Sequence, residues 1–325
     1  MSRFLGPSLI LLCTVIWGSA FLAQKLGADH YGPFAITCYR NVLGGLFLWL
    51  CIRIRDRRGR RGAPTLPTDQ PCDCTIAQSN NRTLLLGGSL SGVCLFVAMV
   101  SQQLGIEHTT PGISAFLTAN YVLLVPVFAW VIGRGRPGAS VWLGVALALF
   151  GTCLICFADF GAQLSAFKLG RGEAWTLLCA ALFAVQIMVV DRFAHDVDVV
   201  RFSMVQLFVS ALCALPFVFL PSELARSSWS HFAQGLPALF YVGVLSSGIA
   251  YTLQNLGQAK TPPALAAIIL SMESVFGALF GWLILHDAMT PRQLCGCALV
   301  FLAVVATQLL PPSLRRCVPQ QECSP

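Results

Sequence analysis

The sequence predicts an all-α membrane protein, with ten transmembrane helices built as two inverted five-helix repeats. Three observations predict it. Of 325 residues, 56% are hydrophobic and only 11% are charged, where a soluble protein carries about 25% charged residues. Ten apolar runs recur along the chain; at roughly 1.5 Å per residue, a run of about 20 residues crosses about 30 Å of hydrocarbon. Finally, a shift of 152 positions lays the region after Val100 on the region after Thr252. Gln102, Leu104, Gly105, Thr109, Pro111, Ala115, Trp130 and Gly144 then meet identical residues at Gln254, Leu256, Gly257, Thr261, Pro263, Ala267, Trp282 and Gly296.

The expected spans are 4–26, 33–54, 83–103, 111–132, 139–158, 173–191, 199–220, 235–257, 262–285 and 291–310. The first follows Ser2 and Arg3 and mimics a signal peptide, but nine similar runs follow it, so it reads as a membrane helix. Most linkers are short and rich in Gly, Pro or charge, as in 133–138. The long one, 55–82, is basic, then Pro-rich, then polar, and is expected to be a flexible cytosolic loop. The first repeat is placed at 1–158, the second at 173–310, and a cytosolic tail at 311–325. More weakly, the first helix (WGSAFLAQKL) also resembles the sixth (FAVQIMVVDRF). Five spans per copy is an odd number, so the second copy enters the bilayer upside down. Two inverted halves that rock about a midplane site are a transporter signature.

Orientation follows from Lys and Arg. With the N-terminus in the cytosol, 15 of them lie on the cytosolic side, 5 lie outside and Arg40 lies within a span. That imbalance places both termini inside. The net charge of +7 is accounted for by this basic loop beside anionic lipid, and nucleic acid is excluded as a partner. Most of the 14 cysteines sit in apolar runs and behave as small apolar residues. Cys72 and Cys74 in the loop, with Cys317 and Cys323 in the tail, have poor zinc-ligand spacing, so no metal or cofactor is expected.

Polar residues fall on helical stripes in several spans. These are Ser247, Tyr251, Gln254 and Asn255 in the eighth, Ser114, Thr118 and Tyr121 in the fourth, and Ser203, Gln206 and Ser210 in the seventh. In the first, Thr14, Gly18 and Lys25 line up beside Trp17. For one residue the plain reading is an interhelical hydrogen bond, worth about 0.6 kcal/mol. For the whole set, a water-filled cavity accounts for more. Arg40 lies about 10 Å deep in the second span and Glu273 about 16 Å deep in the ninth, at depths that permit an ion pair. A charge that deep is costly without a partner, water or a proton. The pair reads either as a structural lock or as a functional site, with Glu273 the candidate for proton coupling and Arg40 suited to a carboxylate. Gly277 and Gly281 form a GxxxG for close helix contact, and Trp130 and Trp282 read as interface anchors. An intramembrane aspartyl protease needs a second deep carboxylate, which is missing, and HExxH and Walker A motifs are absent.

TVIWGSAF at the start, YRNVLGG in the second span, and the stretch from AYTLQNLGQAKTPPA through LSMESVFGALFGWLIL together resemble the EamA family of the drug/metabolite transporter superfamily. The resemblance covers the chain apart from 55–82 and the tail. It implies a multi-pass plasma (inner) membrane carrier that works by alternating access, often an exporter of amino acids or related solutes, and not an enzyme. A sugar-phosphate or nucleotide-sugar carrier of the same superfamily is the alternative. The expected partners are a small-molecule substrate, protons and the lipid bilayer, with a homodimer left open. Trp17, Arg40 and Glu273 match family positions, and Tyr121, Gln186, Tyr251, Gln254 and Asn255 complete the expected substrate pathway. Ser274 stands where the family often has proline, which predicts a straighter ninth helix. Gly133-Arg134 and His286-Asp287 stand where the family often has Gly-Glu.

Overall fold

The computed structural model describes residues 2–28, 30–62, 74–108, 111–133, 135–156, 170–226, 229–285 and 289–309. Within them the chain is helical, with no strand. Eight helices are long and apolar enough to cross a membrane, and Phe4–Ala20 and Phe116–Val131 are shorter apolar stretches. Together they supply ten spans. Span 1 is Ser2–Ala28, span 2 Pro33–Gly62, span 3 Cys74–His108, span 5 Ala139–Cys156, span 6 Arg171–Phe193, span 7 Val199–Val218 and span 10 Pro291–Leu309. Large side chains such as Leu46, Leu212, Phe219 and Leu302 point outward, as hydrocarbon surroundings allow.

The other three spans are interrupted. Span 4 is Pro111–Thr118 followed by Tyr121–Val131, and span 9 is Pro263–Leu270 followed by Met272–Leu285. The expected straight ninth helix is therefore corrected: it breaks at Ser271 without any proline there. At the offset of 152 that position is Ala119, so the break recurs in both copies. Polar side chains take up the carbonyls that a break releases. Asn120 Nδ2 donates to Phe116 O and Leu117 O, both at 3.1 Å. Ser271 Oγ donates to Ile268 O at 2.6 Å. Such side-chain bonds compete with the helical ladder and bend it. Span 8 runs Trp229–Phe240, a π-helix Tyr241–Ala250, and Tyr251–Gln258.

A second correction concerns the expected loop. Residues 55–62 continue span 2 and 74–82 open span 3 as helix, while 63–73 and the tail 310–325 lie outside the described residues. Arginine is a good helix former, and the extension is tied to its neighbours. Arg55 pairs with Asp198, and Arg201 with Asp56 at 3.0 Å. Asp198 also caps span 7, accepting from the amides of Val200 and Arg201. Desolvation raises the Asp198 pKa, but the hydrogen bonds from Arg55 and these amides outweigh it and hold the carboxyl below its usual range. A depressed carboxylate stabilises above its unfolded pKa and loses that contribution as pH falls through the folded one. Asp198→Ala should thus cost about 1 kcal/mol at neutral pH, read by thermal unfolding. The difference from the parent should begin to shrink below about pH 4 and vanish only below the depressed folded pKa.

The helices pack by reciprocal contacts, as a two-fold axis requires. A Cβ on Gly257 of span 8 would lie 2.5 Å from Ile10 Cγ1 and 2.8 Å from Gly6 O of span 1. Its counterpart Gly105 of span 3 faces Thr176 and Gly172 of span 6 in the same way. Spans 5 and 10 repeat the pattern, with Gly144 on Thr307 and Ala303 O, and Gly296 on Ile155 and Gly151 O. The first helix of each repeat therefore docks on the third helix of the other. Span 1 and span 6 are related by an offset of 166, which pairs Gly6 with Gly172 and Ile10 with Thr176.

Candidate functional site

The repeat axis brings seven spans, span 8 with its π-helix among them, around one cavity of about 50 Å³. It sits where spans 4 and 9 break, so Thr118, Tyr121, Leu270 and Glu273 from the two breaks line it together. The lining follows the repeat. Met99 and Tyr251, Gln102 and Gln254, Thr118 and Leu270, and Tyr121 and Glu273 are four pairs at the offset of 152. Trp17 and Phe183 add a fifth pair at 166.

Of the eight expected pathway residues, Trp17, Arg40, Tyr121, Tyr251, Gln254 and Glu273 line this cavity. Gln186 and Asn255 do not. They lie beside it in a buried network in which Gln254 Nε2 donates to Gln186 Oε1 at 3.4 Å, and Asn255 Nδ2 to Ser203 Oγ at 2.9 Å and Gln206 Oε1 at 3.1 Å. Ser91 Oγ joins it through Gln206 Oε1 at 3.1 Å. The polar stripe of span 7 is accordingly an interhelical seam, not cavity wall. Its third member, Ser210 Oγ, accepts from Asn41 Nδ2 at 2.8 Å. Sequence reasoning missed Gln24, Met99, Gln102, Phe183, Ile187 and Ser246 in the lining. The signal was there for Met99, Gln102 and Phe183, because each sits at the repeat offset from a predicted lining residue.

The two charges behave differently. Arg40 is 4% exposed. Its Nε donates to Ser247 Oγ and its Nη2 to Ser246 Oγ, both at 2.9 Å. The π-helix makes this fit, because its altered register lets adjacent serines meet one guanidinium, and such segments recur at functional sites. The same segment presents Ser246 O to Trp17 Nε1 at 3.1 Å, and the Trp17 ring stands edge-on to Tyr251, with centroids 4.8 Å apart. Glu273, by contrast, makes no hydrogen bond or ion pair to any described residue. The two charges share the cavity without closing on each other. Arg40 is a pinned cation that shapes the wall, and Glu273 is a carboxylate available to a proton or to a bound cationic group.

The remaining expectations divide. Trp130 and Trp282 are 47% and 49% exposed, as interface anchors would be. Gly277 does meet another helix: a Cβ on Gly18 of span 1 would lie 2.8 Å from its backbone nitrogen. Asp191 is 3% exposed at the end of span 6, beside His195 at 3.8 Å, and is not part of the cavity. Cys72, Cys317 and Cys323 lie outside the described residues.

Comparison with known proteins gives one consistent answer. The EamA-like transporter family matches residues 4–157 and again 170–308. An uncharacterized transporter of Archaeoglobus fulgidus is 25% identical over 301 residues, covering 92% of this chain and 84% of that one. The threonine/homoserine exporter RhtA of Escherichia coli is 26% identical over 306 residues, covering 93% and 91%. A protein of known crystal structure shares the fold with a TM-score of 0.70 at 19% identity, over 95% of this chain and 96% of that one.

Proposed function

The chain belongs to the EamA-like transporter family, and from that premise we propose that it is a secondary carrier. It moves a small amino-acid-like solute across the plasma membrane by alternating access. The observation that carries the reading is the unpaired Glu273 inside a cavity shared by both repeats. An ionisable group held within a membrane without a structural partner is kept for a mobile one. Trp17, Tyr121, Phe183 and Tyr251 offer ring faces and edges around it, which suit a solute carrying an ammonium group. Likeness to a threonine/homoserine exporter supports the same class and an outward direction. A sugar-phosphate carrier fits less well, because the one cation lining the cavity among the described residues, Arg40, is already engaged by two serines. Pockets for small ligands measure about 300–1,000 Å³, so the cavity is contracted and must widen to load.

The test is counterflow in reconstituted vesicles. Vesicles preloaded with threonine or homoserine should take up the labelled solute with saturation and trans-stimulation, and an imposed proton gradient should change the rate. Flux that neither saturates nor responds to trans solute would point to a channel and remove the proposal. Orientation has its own check. A cysteine placed between residues 63 and 73 should react in intact cells only with membrane-permeant reagents, since the basic end of span 2 belongs in the cytosol. Labelling by an impermeant reagent from outside would invert the topology.

A further inference from the structure

The repeat relates two pairs of neighbouring amides, Gln102–Gln103 near the end of span 3 and Gln254–Asn255 near the end of span 8. They point to opposite faces of the molecule, and the structure treats them differently. Gln254 and Asn255 are 2% and 0% exposed and reach across to spans 6 and 7 through Gln186, Ser203 and Gln206. This closes the seam between the cavity and the face that carries the N-terminus. Gln102 and Gln103 make no hydrogen bond to any described residue, and Gln102 faces into the cavity with Gln24. One pair is latched, and its copy, in which Gln103 is buried at 7% exposure, is unlatched.

Resting on the carrier reading above, we infer that these amide pairs are two copies of one gate that close in turn. The latch is Gln206 for the pair in span 8. The offset of 166 that relates the first two helices of each repeat puts Arg40 where Gln206 stands in the other half, and Thr37 where Ser203 stands. Arg40 is therefore the latch for Gln103 in the opposite state, and reaches it by leaving Ser246 and Ser247. A guanidinium donates to an amide oxygen as readily as to hydroxyls, so the exchange replaces one set of bonds with another. The closed gate is also incompletely satisfied. Gln206 Nε2, Gln254 Oε1, Asn255 Oδ1 and both polar ends of Gln258 are buried without a partner among the described residues. Water or solute entering the seam would satisfy them, which favours reopening. The amides thus serve as positioning groups, holding either end of the pathway shut while the other admits solute.

The gate can be read without substrate. In a Gln258→Cys background, maleimide labelling at that seam position is followed by peptide mass spectrometry in purified protein. Asn255→Ala unlatches the closed end and should raise the labelling rate at least threefold. Gln103→Ala weakens the opposite latch and should lower it by a similar factor. Gln206→Ala should copy Asn255→Ala, and Gln102→Ala should copy Gln103→Ala, which keeps the test open if one variant does not fold. Opposite signs for the two pairs support the gate. Changes of the same sign, or none, overturn it, since a merely structural role would loosen the seam in every variant. Wild-type counterflow separates this result from the carrier reading: flux without reciprocal labelling leaves the carrier standing and removes the gate.

Discussion

Glu273→Gln is expected to cut solute flux between about 10- and 150-fold and to abolish its response to an imposed pH gradient, while leaving the protein folded. A hydrogen bond to a charged group is worth about 1.5–3 kcal/mol, and each 1.4 kcal/mol is tenfold. The fold should survive because the carboxyl has no described partner to lose, and glutamine keeps its shape. Flux is measured by counterflow, pH response by repeating it across a pH gradient, and folding by thermal unfolding. If the variant carried solute at the parental rate with the same pH profile, Glu273 would be outside the transport path. An unfolded variant would instead reveal a structural contact absent from this arrangement.

Gly257→Val should abolish the folded protein. The new Cβ would lie 2.8 Å from Gly6 O and 2.5 Å from Ile10 Cγ1, and a backbone carbonyl cannot turn away as a side-chain end can. Overpacking a well-filled site costs typically 1–3 kcal/mol. Here two helix backbones would have to separate, so the cost lies at or above the top of that range. Gly105→Val tests the mirrored contact and should destabilise less, because its close contact is the Thr176 hydroxyl and the Gly172 carbonyl stands 3.3 Å away. Gly133→Ala is the control: its Cβ meets nothing, and its φ of +84° costs only about 1–2 kcal/mol. Recovery of monodisperse protein in detergent reads all three. Gly257→Val behaving like Gly133→Ala would mean that span 1 does not dock on span 8 as described.

Much of this was legible in the residues because lipid simplifies the code. Apolar length gives spans, and an odd five-span unit used twice demands inversion. Trp17, Arg40, Tyr251 and Glu273 were found by depth and face, and they meet in the cavity. What escaped is local. The breaks at Asn120 and Ser271 carry no proline; they come from side chains that bond their own backbone, which periodicity does not register. The π-helix at Tyr241–Ala250 changes which residues share a face, so a 3.6-residue wheel drawn on span 8 put Asn255 in the cavity wall when it faces span 7. The span 7 stripe looked like a cavity wall for the related reason that spacing identifies a polar face but not what covers it.

The exchange of first helices between the halves bears on how the molecule is made. Span 1 leaves the ribosome long before spans 8 and 9, its main docking surfaces, have been synthesised. It must wait in the bilayer as a solitary helix, and the N-terminal half cannot reach its final arrangement until the C-terminal half arrives. The two halves, expressed from separate genes, should each be degraded when alone and rescue one another when produced together.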